Sequence, residues 1–277
     1  METYIEHARA KVNLSLKVLG KRADGFHAIE TRMAPISLAD RLILTPAESY
    51  SLVCDKVGVP VDESNLVTRA VRIFQRETGA ACAYRVELEK HVPHGAGLGG
   101  GSGDAAAVLR AMNHLEATGV EVAQLAEWAA EIGSDVPFFV YDSVCDCTGR
   151  GEIVEAVEWP HQLDALLLKP DFGVDTPGAY KAWLGSEAIC GIRYEAQELE
   201  WGRMVNDLER PVFAKHRFLA EVKMWLLGQP EVAAAMMSGS GSTMIAILKD
   251  ANAAEALAGR AKQALDPSLW TAQVVIG

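Results

Sequence analysis

Alternation of apolar and polar side chains is clearest near the start of the chain. In ARAKVNLSLKVLG, Ala10, Val12, Leu14, Leu16 and Val18 fall on one side and Lys11, Asn13, Ser15 and Lys17 on the other. That two-residue period predicts a half-buried strand whose polar face is solvated. Asp24-Gly25 predicts a turn after it. RLILTP and YSLVC read as further strands, and Tyr84, Val86 and Leu88 alternate with Arg85, Glu87 and Glu89 in another. Helical spacing takes over in NLVTRAVRIFQRETG, with Asn65 suited to the cap and Gly79 to the stop. Two more helices are predicted, AAAVLRAMNHLEAT, capped by Asp104 or Ser102 and ended by Gly119, and VAQLAEWAAEIG.

The pattern changes near Trp159-Pro160. ALLLKP is a short buried strand, TPGAYKAWL a helix with Pro177 in its first turn, and VFAKHRFLAEVKMWLLG one helix. A glycine-serine loop, SGSGS, precedes the strand in TMIAILK; DANAAEALAGRAKQAL is a helix and WTAQVVI a closing strand. The mixed order predicts an α+β protein with two lobes, 1–158 and 159–277, the second rich in βαβ units.

Composition narrows the function. With 277 residues, 49% hydrophobic and 23% charged, the chain has ample length to bury a core. Asp and Glu outnumber Lys and Arg by 37 to 26, a formal charge of −11. Without a basic tract, nucleic acid is not expected as a partner, and an anionic ligand must be held by local devices. No apolar run reaches the length of a membrane span and METYIEHARAKVNL lacks a signal-peptide core, so a cytoplasmic protein is expected. Cys54, Cys82, Cys145, Cys147 and Cys190 show no C-x-x-C spacing and read as free thiols.

The densest signal is PHGAGLGGGSGDAA, Pro93 to Ala106. Gly95, Gly97 and Gly100 fit G-x-G-x-x-G, yet the strand before them is half-exposed and no second strand follows, which excludes a dinucleotide-binding unit. No Gly-Lys-Ser or Gly-Lys-Thr closes the loop as in a Walker site. What remains is bare backbone feeding a helix N-terminus. It suits an anion held by converging N–H groups, or else a flexible connector.

Asp135, in GSDVPFF, ends a helix before Pro137, which should hold Val136 extended. Crowded by Val136, Phe138 and Phe139, it suits a partly desolvated catalytic carboxylate or a turn residue bonding nearby amides. Lys11 and Asn13 share a strand face, and Asp24, His27, Thr176 and the SGSGS serines are further candidates. No G-x-S-x-G accompanies those serines, so hydrolase chemistry has no support.

Taken together, these segments resemble the GHMP small-molecule kinases. PHGAGLGGGSGDAA is similar to their phosphate loop, ARAKVNLSL to their first motif and SGSGSTMIAIL to their third. AKVNLSLKVLGKRADGFHAIET, GSDVPFF, GRGEIV and NDLE look closest to the branch acting on a cytidine-diphosphate-linked methylerythritol. The resemblance implies an N-terminal ribosomal-protein-S5-like ATP-binding domain, a C-terminal ferredoxin-like domain, and phosphorylation of the 2-hydroxyl by ATP. It implies that Asp135 is the base, and that Lys11 holds Asp135 and stabilises charge in transfer. Asn13 and His27 would orient substrate, with His27 at the cytosine, Phe26 stacking on that base, and Thr176 and Tyr180 lining the same pocket. Pro93, Gly95, Gly97, Leu98, Gly99, Gly100, Gly101, Ser102 and Gly103 would cradle the ATP phosphates, with Mg2+ bridging them through ligands the motif does not name.

Departures from the pattern are Phe26 in place of tyrosine, Ala96 in place of glycine, and Gly103-Asp104 in place of Ser-Asn. Asp104 is expected near the triphosphate, weakening affinity unless it caps the helix or helps hold Mg2+. Rivals are a mevalonate- or homoserine-type kinase and a nucleotide-binding regulator without catalysis. An aromatic and a histidine in DGFH have no evident use in either kinase rival, and retention of Lys11 and Asp135 counts against the regulator.

Overall fold

The computed structural model describes residues 2–277. It is built on two long antiparallel strands, β1 (Tyr4–Lys21) and β2 (His27–Pro46). β2 begins well before the predicted RLILTP and carries Pro35 within it, opposite Lys11, where the pairing slips between Arg9 and Lys11. A second irregularity follows between Asn13 and Ser15. Such bulges re-aim side chains. Here every residue from Ala10 to Leu14 is buried, so the face expected to be solvated is covered and Lys11 and Asn13 are only 4% and 3% exposed.

β3 (Ser51–Cys54) and β4 (Tyr84–Glu89) extend this sheet, β4 pairing antiparallel with β2. Between them α1 (Leu66–Thr78) forms as its local signals predict: Asn65 Oδ1 accepts from Val67 N at 2.8 Å, and Gly79 closes the helix at φ 71°. α2 (Gly100–Leu115), α3 (Val122–Ala130) and the short α4 (Val136–Tyr141) follow, then β5 (Cys145–Thr148) and β6 (Ile153–Ala156). α1 and α2 bury Phe74, Val108 and Leu109 with Leu42 and Leu44 of β2 in one core.

Two expectations fail locally. α2 starts in the glycine run with Gly99 as its cap, in the left-handed region and without a side-chain bond, so neither Asp104 nor Ser102 caps it. The glycines let this turn pack closely on distant residues: a Cβ at Gly103 would lie 2.8 Å from Arg9 O, and one at Gly100 3.0 Å from Val92 Cγ1. Val136 is helical rather than extended, since Pro137 falls in the first turn of α4, where no N–H is needed.

The second half contains β7 (Leu163–Lys169), α5 (Thr176–Trp183), β8 (Gln197–Leu199), β9 (Gly202–Asn206), α6 (Glu209–Lys215), α7 (Arg217–Leu227), β10 (Val232–Met237), β11 (Met244–Leu248), α8 (Ala254–Ala264) and β12 (Trp270–Ile276). The strand order β10-β11-β7-β12 is antiparallel throughout, with two interleaved helical crossovers, the split βαβ topology of a ferredoxin-like fold. The single helix expected from Val212 onward is two, because His216 leaves the helical region at φ −121°, ψ 73° with its ring stacked on Phe172. β9 joins β1 in parallel at Leu16 and Asn206, and β12 meets β2 at Ile276 and Ile36. A core of Val12, Leu14, Ile36, Leu98, Leu167, Ile245 and Ile276 spans this junction. The architecture is α+β.

Candidate active site

A cavity of about 1020 Å³ opens beside that junction. Its walls come from β1, β2 and the turn between them, the glycine loop, the residues before α4, Arg150, α5 and the Ser238–Ser242 loop.

At its inner end lies Lys11. The Lys11 ammonium donates to Asn13 Oδ1 at 2.7 Å and stands 3.7 Å from Asp135 Oδ2. Asn13 Nδ2 donates to Thr31 Oγ1 at 2.8 Å, and Thr31 donates to Ser15 O at 2.6 Å. This chain of bonds fixes the amide so that its oxygen faces the ammonium. The Lys11 side chain is 5% exposed and that of Asp135 39%. The expected crowding of Asp135 does not occur, since Val136, Phe138 and Phe139 are buried in the core and leave the carboxylate facing the cavity. A buried cation thus touches a carboxylate that a ligand can reach.

The two glycine loops meet over this pair. Lys11 N donates to Leu98 O at 2.9 Å, Ser238 Oγ donates to Gly97 O at 3.1 Å, and Thr243 N donates to Ala96 O at 3.2 Å. Gly97, at φ 75°, leaves no room for a side chain: a Cβ there would run into Ser238 O and lie 2.9 Å from Gly241 O. At Gly99 a Cβ would lie 2.5 Å from Phe139 Cζ and 3.2 Å from Lys11 Cγ. Asn206 Nδ2 holds the second loop by donating to Met237 O at 2.8 Å and Gly239 O at 2.7 Å. Gly97 and Gly99 line the cavity; Pro93, Gly95, Leu98, Gly100, Gly101, Ser102 and Gly103 are not among its lining residues, and Leu98 is buried in the junction core. Gly100 to Gly103 form the first turn of α2.

The outer end is aromatic. His27 stacks on Tyr180 with ring centroids 5.5 Å apart, and Trp183 meets His27 edge-on at 6.4 Å. Burial, with the charge of Asp135, pushes the Tyr180 hydroxyl far above its usual range. Phe26 is half exposed, and the Arg150 guanidinium lies 5.0 Å above its ring. Thr176 and Ser240 share a hydrogen bond between hydroxyls at 2.6 Å.

Asp104 does not lie in the cavity. It is 3% exposed, accepts from Lys90 Nζ at 2.6 Å, and shares that ammonium with Asp40. Neither expected role, cap or metal ligand, fits a carboxylate sealed in this way.

Lys11, Asn13, Phe26, His27, Asp135, Thr176 and Tyr180 are therefore brought together in one cavity. Thr31, Arg150, Trp183, Gly239 and Ser240 also line it and were not singled out individually. Ser240 and Gly239 lay inside the flagged SGSGS, Arg150 inside GRGEIV and Thr31 at the end of AKVNLSLKVLGKRADGFHAIET, in the part of β2 that the periodicity did not reveal.

Comparison with known proteins places this arrangement. The profile described as GHMP kinases N terminal domain matches residues 65–143, and that described as GHMP kinases C terminal matches 194–266. The chain is 40% identical over 271 residues to the 4-diphosphocytidyl-2-C-methyl-D-erythritol kinase of Methylacidiphilum infernorum, covering 95% of this chain and 93% of that one. It belongs to this family of GHMP kinases. A crystal structure of 4-(cytidine 5'-diphospho)-2C-methyl-D-erythritol kinase superposes with a TM-score of 0.82 at 33% identity over 99% of both chains. Homoserine kinase from Cytophaga hutchinsonii, 20% identical with a TM-score of 0.76 over 99% of this chain and 94% of its own, shares the fold. Members of the family are ATP-dependent kinases, and no helix among the described residues is long and apolar enough to cross a membrane.

Proposed function

We propose that this kinase transfers the γ-phosphoryl group of ATP to the 2-hydroxyl of 4-diphosphocytidyl-2-C-methyl-D-erythritol, in the non-mevalonate route to isoprenoid precursors. The observation that carries the reading is one cavity with a lysine-aspartate pair at one end and a histidine-aromatic cluster at the other. The cluster suits a flat base: His27 and Tyr180 offer stacking and a hydrogen-bonding edge, and Phe26 a further face. Asn13 and Thr176 add polar groups along the wall.

Asp135 accepts the proton of the attacking hydroxyl. As the oxygen bonds to phosphorus, the bond from phosphorus to the β–γ bridging oxygen breaks and ADP leaves. Lys11, held by its bond to Asn13 and 3.7 Å from Asp135, positions the carboxylate and balances charge on the transferred group. Gly97, Gly99 and the first turn of α2, Gly100, Gly101, Ser102 and Gly103, hold the phosphates through backbone N–H groups, with Pro93, Gly95 and Leu98 setting the shape of that cradle. Among the described residues no three His, Cys, Asp or Glu side chains lie together as a metal site. Mg2+ entering with the nucleotide would lie near Asp135 and would supply charge neutralisation there. Lobes over 1–158 and 159–277, and a cytoplasmic location, are part of the same proposal.

An ADP-release assay with ATP and Mg2+ tests it, offering 4-diphosphocytidyl-2-C-methyl-D-erythritol beside mevalonate, homoserine and galactose. Turnover confined to the cytidyl compound is expected; turnover on another alcohol would keep the fold and overturn the substrate.

A further inference from the structure

Behind the glycine loop lies a second cluster of charged groups that the proposed transfer does not use. Asp40, on β2, is fully buried, and its Oδ1 accepts from His91 N at 2.5 Å and Val92 N at 2.8 Å. Lys90, at the exit of β4, bonds Asp40 Oδ2 and Asp104 Oδ2 with one ammonium. Asp104 lies in the second turn of α2, and its Oδ1 is buried without a hydrogen-bond partner among the described residues. A Cβ at Gly100 would lie 3.5 Å from Asp40 Oδ2, so the first residue of α2 rests on this cluster. The three side chains tie together the strand that leads into the glycine loop, the neighbouring strand and the helix that leaves it.

We propose that Asp104 is a positioning residue for the nucleotide loop and that it takes up a proton when an anionic nucleotide binds at the N-terminus of α2. This rests on the reading of that loop as the nucleotide site. Two carboxylates against one ammonium leave the sealed cluster with a net negative charge when both are ionised. Asp104 follows Gly100 by four residues, about 6 Å along the helix axis. A phosphate bound at that end meets the cluster as a like charge through protein of low dielectric, and protonation relieves the repulsion. The unpartnered Oδ1 is the atom free to take the proton. Burial pushes the Asp104 carboxyl up to about 7, Lys90 opposing and the charge of Asp40 adding to it, so the proton is exchangeable near neutral pH. Titratable groups beside it include Cys54 at the end of β3, Asp55, whose Oδ1 accepts from Lys90 N at 2.9 Å, and His91, next to Lys90 in the chain. α1 meets the turn through Leu66.

The test is calorimetric titration of ADP into the full-length protein at pH 7.5 in buffers of different ionisation enthalpy, on wild type and Asp104→Asn. Comparing the two cancels protons exchanged by ADP itself. Wild type should take up a fraction of a proton that the variant does not, and wild-type affinity should weaken about two- to threefold between pH 7.5 and pH 8.5 for a one-unit shift of the carboxyl. The variant should keep a pH-independent affinity once the titration of ADP is subtracted. Equal proton uptake in both would overturn the inference while leaving the nucleotide site intact, and absence of ADP binding to wild type would overturn both. Should Asp104→Asn fail to fold, the carboxyl carbon resonances of labelled wild type decide: one aspartate titrating near neutrality and moving upward with ADP supports the inference, and none titrating above pH 6 overturns it.

Discussion

Two lysine-aspartate groupings lie on either side of the glycine loop, and burial separates their uses. At Lys11 the ammonium is enclosed, while the Asp135 carboxylate is 39% exposed to the cavity. At Lys90 the side chain is 11% exposed and both carboxylates, Asp40 and Asp104, are sealed. The first pair stands 3.7 Å apart and is open to a third group. The second is closed by direct hydrogen bonds and joins three chain segments. The same pair of side-chain types thus faces a cavity in one place and ties backbone segments together in the other.

The sharpest way to test this division is to neutralise the open carboxylate. Asp135→Asn should lower kcat by about 100- to 10,000-fold with little change in melting temperature, since its side chain is partly solvated. Near-normal turnover would exclude it as an essential base. Lys90→Met should do the reverse. It leaves two buried carboxylates unpaired, and a loss of about 3–5 kcal/mol in stability is expected by denaturant titration; a melting curve like that of wild type would show that the sealed cluster does not brace the loop.

At the aromatic end of the cavity, Tyr180→Ala removes the stacking partner of His27. The expected loss is about 0.5–1.5 kcal/mol in binding of the cytidyl substrate, read as a raised KM with the KM for ATP unchanged. A matching rise in both would place Tyr180 in general packing instead.

A further effect concerns pH. The Asp104 carboxyl is raised from 3.8 to about 7 in the folded protein, chiefly by burial. Between those values the folded protein holds a proton that the unfolded chain has lost, so this residue's contribution to stability falls as pH rises through the window. Asp104→Asn should abolish that slope: wild type should lose melting temperature relative to the variant from about pH 4 to pH 7, with a constant gap above. Parallel curves would show that the residue keeps its usual acidity.

Local signals were enough for α1, where Asn65 and Gly79 close the ends by bonds to backbone a few residues away. They also marked the glycine loop, the Lys11 strand, Asp135 and the DGFH turn, because each of those chemistries needs particular residue types at short spacing. Alternation alone put Lys11 and Asn13 on a solvated face. The bulges in β1, the helix α2 laid over it and the Ser238–Ser242 loop reverse this, and all three depend on contacts between segments far apart in sequence. The start of α2 at Gly100, the break at His216 and the enclosure of Asp104 by Lys90 and Asp40 were likewise decided only when segments distant in sequence came within contact distance. The sequence by itself therefore determined which groups are available for phosphoryl transfer and where helices and turns are favoured locally. Tertiary packing decided which of those groups meet a ligand and which are sealed, because burial is a property of neighbours brought together by the fold.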